Sequence, residues 1–292
     1  WFYSPMALPL ATQLNPSAIV YDCMDELSAF LNAPKQLQQR ENALLKVADL
    51  VFTGGPSLYR AKRGRHPSVH CFPSSVDRAH FARALQKENE HPEQRALPRP
   101  RLGYFGVIDE RIDLEVLAEL ADTRPEWQIP VVGPVVKIDP AALPRRPNLH
   151  YFGQRDYAEL PAFVAGWDVC LLPFALNEAT RYISPTKTLE YMAAEKPIVS
   201  TPITDVVEPY GDIVHTADRA AFAAACEHAL RTSGQEWERR RNAMRATVAR
   251  TSWDRTAAAM ADLVDGVVKR KSASGAQRRL PVLLPPRERG PA

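Results

Sequence analysis

The feature that most restricts the fold is a regular rhythm between Arg101 and Arg231. Short apolar runs that read as strands fall at 101–106, 128–133, 148–153, 168–174, 197–201 and 213–215. Apolar residues at helical spacing fill stretches between them, at 113–122, 157–165, around 185–195 and at 217–231. Strands that alternate with helices build parallel βαβ units, since a parallel strand is reached only by a crossover. This half therefore reads as a complete α/β domain of Rossmann type, whose ligands bind beyond the carboxyl ends of the strands.

The upstream part shows the same rhythm in shorter form. Strands are expected at 17–22, 49–53 and 69–72, with a helix over 35–47 and another capped near Asp77 and anchored by Phe81. Three strands are few for a doubly wound domain, and no helix or strand opens at Trp1, so the chain reads as the remainder of a longer one. Residues 1–85 are then the C-terminal part of a first Rossmann-like domain. Residues 86–100, rich in Pro, Glu, Lys and Arg, are expected to be a linker, 101–250 a second domain, 251–270 a helix and 271–292 a disordered basic tail.

The formal charge of +3 is unevenly placed: residues 269–292 carry seven Lys or Arg against one Glu, a net +6, which leaves −3 for residues 1–268. The body is mildly acidic, which argues against a nucleic-acid partner. The tail is the segment able to touch an anionic membrane surface, against the plainer reading of a solvated tail. Cys23, Cys71, Cys170 and Cys226 lack metal or redox spacing and read as reduced thiols, as expected of a cytoplasmic protein. The most apolar run, 160–176, is broken by Pro161, Asp168 and Pro173 and is no membrane span.

A candidate anion site lies at 184–190. Ser184 suits an N-cap and Pro185 the first helical position, so a helix is expected to begin near Pro185. Lys187 would then sit in a first turn that disfavours cations, a conflict that a phosphate held by backbone N–H groups, Thr186 and Lys187 would resolve. The alternative is a Lys187 paired with Glu190 or pointing into water.

Six segments, in order, resemble the retaining nucleotide-sugar glycosyltransferases of the GT-B fold, in particular glycosyltransferase family 4. They are Phe72-Pro-Ser-Ser-Val-Asp77 with Phe81, Gly103-Tyr-Phe-Gly106 through Arg111, Val131-Val-Gly-Pro134, Asn148-Leu-His-Tyr-Phe-Gly153, Asp168-Val-Cys-Leu-Leu-Pro173, and Leu189-Glu-Tyr-Met-Ala-Ala-Glu-Lys-Pro-Ile-Val199. The resemblance implies a pair of Rossmann-like domains, the first incomplete here, with a sugar diphosphonucleotide bound by the second and facing the interdomain cleft. It implies that Glu190 holds the ribose and that Arg111 and Lys187 stabilise the departing diphosphate in place of a metal; the competing reading of Arg111 is a surface ion pair with Asp109 or Glu115. Gly106, Gly133 and Gly153 would let backbone approach the donor. Ser184 and Thr186 would join the donor site.

The departures are instructive. The first Glu of the family's E-x7-E motif is replaced by Tyr182, so Glu178, with Asn177 and Arg181, is expected to reach the sugar from the preceding loop. Asp22 and Asp25 stand where relatives carry a His-containing acceptor segment, or else cap the following helix. Glu195 replaces a Gly, at a cost of about 1 kcal/mol if the helix ends in a left-handed cap. No Asp-x-Asp triplet occurs, and no metal or other cofactor is expected. The expected function is retaining transfer of a sugar from a nucleotide diphosphate donor to a polysaccharide or lipid-linked acceptor. The rivals are a nucleotide-sugar epimerase or hydrolase of the same fold, and a non-catalytic scaffold in polysaccharide assembly.

Overall fold

The structure is a computed structural model that describes residues 1–11 and 14–274. The chain divides into two compact units, one made of Trp1–Pro73 with the chain from Thr256 onward, the other of Ser74–Arg255.

In the first unit, β1 (Val20–Cys23), α1 (Leu37–Val47), β2 (Leu50–Thr53), α2 (Pro56–Lys62) and β3 (Val69–Cys71) follow one another, and the strands form a parallel sheet in the order β1-β2-β3. Pro56 supplies a preset φ at the start of α2, a helix absent from the sequence expectations. One face of the sheet buries Val20, Leu50 and Phe52 against Met260, Leu263, Val264 and Val267 of the C-terminal helix. On the other side lies a buried polar network. Lys62, fully buried, donates to Glu41 at 2.6 Å and pairs with Glu26 at 2.7 Å, while the Tyr21 hydroxyl donates to Glu41 at 3.0 Å.

The second unit runs α3 (Arg78–Ala82), β4 (Leu102–Phe105), α4 (Leu114–Thr123), β5 (Ile129–Val132), β6 (Leu149–Gly153), α5 (Leu160–Ala165), β7 (Val169–Leu172), α6 (Lys187–Ala193), β8 (Ile198–Ser200), α7 (Thr204–Tyr210), β9 (His215–Thr216), α8 (Phe222–Arg231) and α9 (Gly234–Ala249). Its strands form one parallel sheet in the order β6-β5-β4-β7-β8-β9. β4, β5 and β7 are buried at every position, as expected of strands covered by helices on both faces. The winding reverses between β4 and β7, and that is where an open α/β sheet has its crevice.

Three boundary expectations change. Residues 86–100 are no linker: Gln94 is fully buried, donating to the Phe163 carbonyl at 2.7 Å and accepting from the Trp167 indole at 2.9 Å. Residues 74–85 fold with the second unit rather than the first; Phe81, fully buried, stacks 5.9 Å from Phe105. The last helix, α10, covers Trp253–Ser274, so residues 271–274 are helical, and Lys271 pairs with Asp49 at 2.6 Å. The remainder of the expected tail, 275–292, lies outside the described residues. No helix among the described residues is long and apolar enough to cross a membrane.

Candidate donor-binding site

At the carboxyl ends of three neighbouring strands of the second unit stand glycines, Gly106 just after β4, Gly133 just after β5 and Gly153 closing β6, with φ values of +139°, +147° and +71°. At the first two positions the space is fully used. A Cβ on Gly133 would collide with the Gly106 carbonyl oxygen, and one on Gly106 would overlap Lys187 Cε and come within 2.7 Å of its Nζ and 2.8 Å of the Tyr104 hydroxyl. Nothing lies within 4 Å of a Cβ on Gly153, so that glycine is required by its backbone conformation alone. The chain thus brings bare backbone to the carboxyl edge of the sheet and lays the Lys187 amine across it.

Helix α6 begins at Lys187, not Pro185. The turn before it is tight, with Thr188 N–H donating to Pro185 O at 3.1 Å and Leu189 N–H to Thr186 O at 3.1 Å, so Pro185 starts a turn rather than the α-helix. Ser184 consequently caps nothing; it is half-buried, and Thr186, in α-helical conformation at the cap position, is exposed. The helix ends as its sequence implies. Glu195 takes the left-handed conformation at φ +49°, held by Arg245 of α9 at 2.6 and 2.8 Å.

The charges at the start of α6 are the central observation. Lys187 Nζ lies 5.8 Å from the centre of the Tyr104 ring, and its amine makes no hydrogen bond or ion pair with the described residues. Glu190, one turn on and likewise half-buried, also lacks a hydrogen-bond or ion-pair partner among them. The pairing of these two side chains weighed from sequence is therefore not formed. Burial pulls the Lys187 pKa down, with Glu190 opposing and Arg111 assisting; burial pushes Glu190 up to about 7, with Lys187 opposing. Lys196, the other desolvated amine of this helical region, shows the contrast, since the Ala165 and Trp167 carbonyls take it up at 3.1 and 2.8 Å. Lys187 is desolvated and unsatisfied, a condition that a protein tolerates where a ligand supplies the missing charge.

Arg111 stands in the loop after β4. It is gripped by the buried carboxylate of Asp109, with Nε at 3.0 and 3.1 Å from the two oxygens and Nη2 at 2.8 Å. This is the ion pair weighed from sequence as the alternative to a catalytic role. Glu115, the other partner considered there, pairs instead with Arg219. Asp109 orients a guanidinium whose charge is felt at Lys187 and Tyr104.

The other expected site residues make contacts of their own. Glu178 and Arg181 lie in an exposed turn and pair with each other at 3.5 Å, and the Arg181 guanidinium lies 5.3 Å from the Tyr182 ring. No described contact joins them to Lys187 or Glu190. Asn177 caps their turn and donates to the Glu110 carbonyl at 2.9 Å. Asp22 and Asp25 belong to the first unit. Asp22, buried within β1, accepts from the Trp1 indole at 3.0 Å and leaves Oδ1 buried without a partner; burial raises its pKa. The cap position of the short helix at Leu27–Ala29 is Glu26, which makes no side-chain cap bond. Among the described residues no cluster of His, Cys, Asp and Glu is placed to hold a metal ion.

Tyr157 was missed from sequence. Half exposed, it stacks on His80 at 4.3 Å, and Glu190 is among the charges acting on it. An aromatic two residues after Arg155 has no local signal that would separate it from a helix-start residue.

The parallel sheets and their crevice are those of the GT-B glycosyltransferase fold. Sucrose-phosphate synthase from Thermosynechococcus elongatus superposes with a TM-score of 0.60 at 19% identity, covering 91% of this chain and 70% of that one. Anabaena HepE in complex with UDP-glucose superposes with a TM-score of 0.66 at 14% identity, covering 92% and 77%. Residues 99–232 match the family model described as glycosyl transferases group 1. A Bacillus subtilis (strain 168) protein named for a role as teichuronic acid biosynthesis glycosyltransferase, TuaH, is 26% identical over 281 residues, which are 86% of this chain and 67% of the relative. The fold is the GT-B fold, and the match to the group 1 family model lies within the second unit.

Proposed function

We propose that the chain moves a sugar from a nucleotide diphosphate donor to a polysaccharide or lipid-linked acceptor with retention at the anomeric carbon, as members of glycosyltransferase family 4 do. The observation that carries this reading is the unsatisfied Lys187 amine over Gly106, at the carboxyl edge of the sheet where the winding reverses.

The donor diphosphate is placed at the carboxyl edge beside Gly106 and Gly133, where it takes hydrogen bonds from backbone N–H groups and from the Lys187 amine that lies over Gly106. Arg111, held by Asp109, adds a second positive charge. As the bond from the sugar to the diphosphate breaks, negative charge collects on the departing oxygens, and fixed cations stabilise that state more than the ground state. Two such side chains do the work that a divalent ion would otherwise do, so the transfer is proposed to need no metal. Glu190 accepts from the ribose hydroxyls; its carboxyl, at a pKa of about 7, becomes a better acceptor when ligand donors and the nearby Lys187 favour its ionised form. Ser184 and Thr186 line the same edge, and Glu178 with Arg181 reach the sugar from their exposed turn. Asp25 is proposed to serve the acceptor, whereas Asp22 is buried and bound by the Trp1 indole. The protein is proposed to work in the cytoplasm, with its basic tail against the inner face of the membrane.

Lys187→Ala and Glu190→Ala in the full-length protein test the donor assignment. Each is expected to weaken nucleoside diphosphate binding at least tenfold, and unchanged affinity in both would remove the assignment.

A further inference from the structure

β4 and β7 pair only through Leu102 with Val169 and Gly103 with Cys170, and beyond Gly103 no pairing joins them. Along β4 the amides of Leu102 and Gly106 donate toward the β5 side, so the Phe105 amide faces the side where β7 has left. Phe105 is buried, and an orphaned amide there would be costly. The Tyr191 hydroxyl fills the gap, accepting from Phe105 N–H at 3.2 Å.

Tyr191 is fully buried, edge-on to Phe105 at 5.1 Å and to Trp167 at 6.3 Å. Gly103 leaves the room this requires, since a Cβ there would overlap the Trp167 ring. Burial keeps the phenol protonated. Tyr191 follows Lys187 by one helical turn, so the two share a face of α6. That face meets the last residue of β4 and the glycine after it: Tyr191 holds the Phe105 amide, and Lys187 lies over Gly106.

We infer that Tyr191 is a positioning residue of the donor site, a wedge whose hydroxyl holds the split between β4 and β7 and sets α6 at the height that places Lys187 across Gly106. The inference rests on the donor reading given above and deepens it. The wedge fixes the amine through one rigid bond to the strand that carries the phosphate-facing glycine, instead of through a counterion that would quench its charge.

The test is Tyr191→Phe in the full-length protein, which keeps the ring and removes the bond. Two measurements are made: hydrogen exchange of the Phe105 amide, and calorimetric titration with UDP, GDP and ADP in turn. Cys226→Ala, a core change in α8, serves as the control for general softening. Tyr191→Phe is expected to fold, to exchange the Phe105 amide at least tenfold faster, and to bind the preferred nucleoside diphosphate about tenfold more weakly, while Cys226→Ala binds as the parent does. Equal affinity of Tyr191→Phe and the parent overturns the inference and leaves the donor reading standing. An equal loss in Cys226→Ala also overturns it, since softening alone would then account for the effect. A parent protein that binds none of the three nucleotides overturns the donor reading, and the inference falls with it.

Discussion

Glu190 makes a prediction that needs no ligand. Its pKa is raised by burial from 4.5 to about 7, so the folded protein holds a proton that the unfolded chain has released between those values. Stability from this group is complete below about pH 4.5 and is lost as pH rises through about 7. At 1.36 kcal/mol per unit the shift corresponds to about 3 kcal/mol, and screening of a half-buried side chain reduces this to about 2 kcal/mol. Glu190→Gln keeps the shape and cannot ionise. Urea unfolding of parent and variant from pH 5 to pH 8 should show the variant gaining about 2 kcal/mol relative to the parent as pH rises. The same variant should bind nucleoside diphosphate more weakly, so stability and binding move in opposite directions, as expected at a site strained for function. A stability difference that stays flat across that range would refute the assignment of a buried, unpartnered carboxyl.

Gly133→Ala places a methyl group on the Gly106 carbonyl at a φ of +147°, and should cost about 3 kcal/mol or more in unfolding experiments, with loss of nucleotide binding. Lys62→Ala leaves Glu41 and Glu26 without their shared cation, one of them deeply buried, and should lower unfolding free energy by about 3–5 kcal/mol. Glu195→Gly relieves a left-handed side chain while losing the Arg245 pair, so its thermal midpoint should stay near that of the parent; Glu195→Ala loses the pair without the relief and should fall below it.

What could be read from sequence was local or periodic. The Asp77 cap is one case: its carboxylate accepts from His80 N–H at 3.0 Å, three residues away. The left-handed Glu195 is another, since the end of a helix before Lys-Pro needs such a cap whatever packs around it. Lys187 was legible as a misplaced cation near a helix start, although the tight turn at Pro185 moved that start by two residues. The residues 86–100 were misread because their polar side chains find partners far along the chain, such as Gln94 with Phe163 and Trp167. Lys62 and Glu41, twenty-one residues apart, have the spacing of ordinary surface charges on two helices, and only the fold joins them. Tyr191 has no local signal that separates it from its apolar neighbours Leu189 and Met192 on the same helix. Its role depends on where β4 and β7 part, and pairing between strands so distant in sequence leaves no local trace.

The most direct measurement of the central claim is a crystal structure of the full-length protein with a nucleoside diphosphate bound. The phosphates are expected against Gly106 and Gly133, with an oxygen within hydrogen-bond distance of Lys187 Nζ and the ribose hydroxyls on Glu190. A nucleotide seated elsewhere, with the Lys187 amine still unpartnered, would contradict the account.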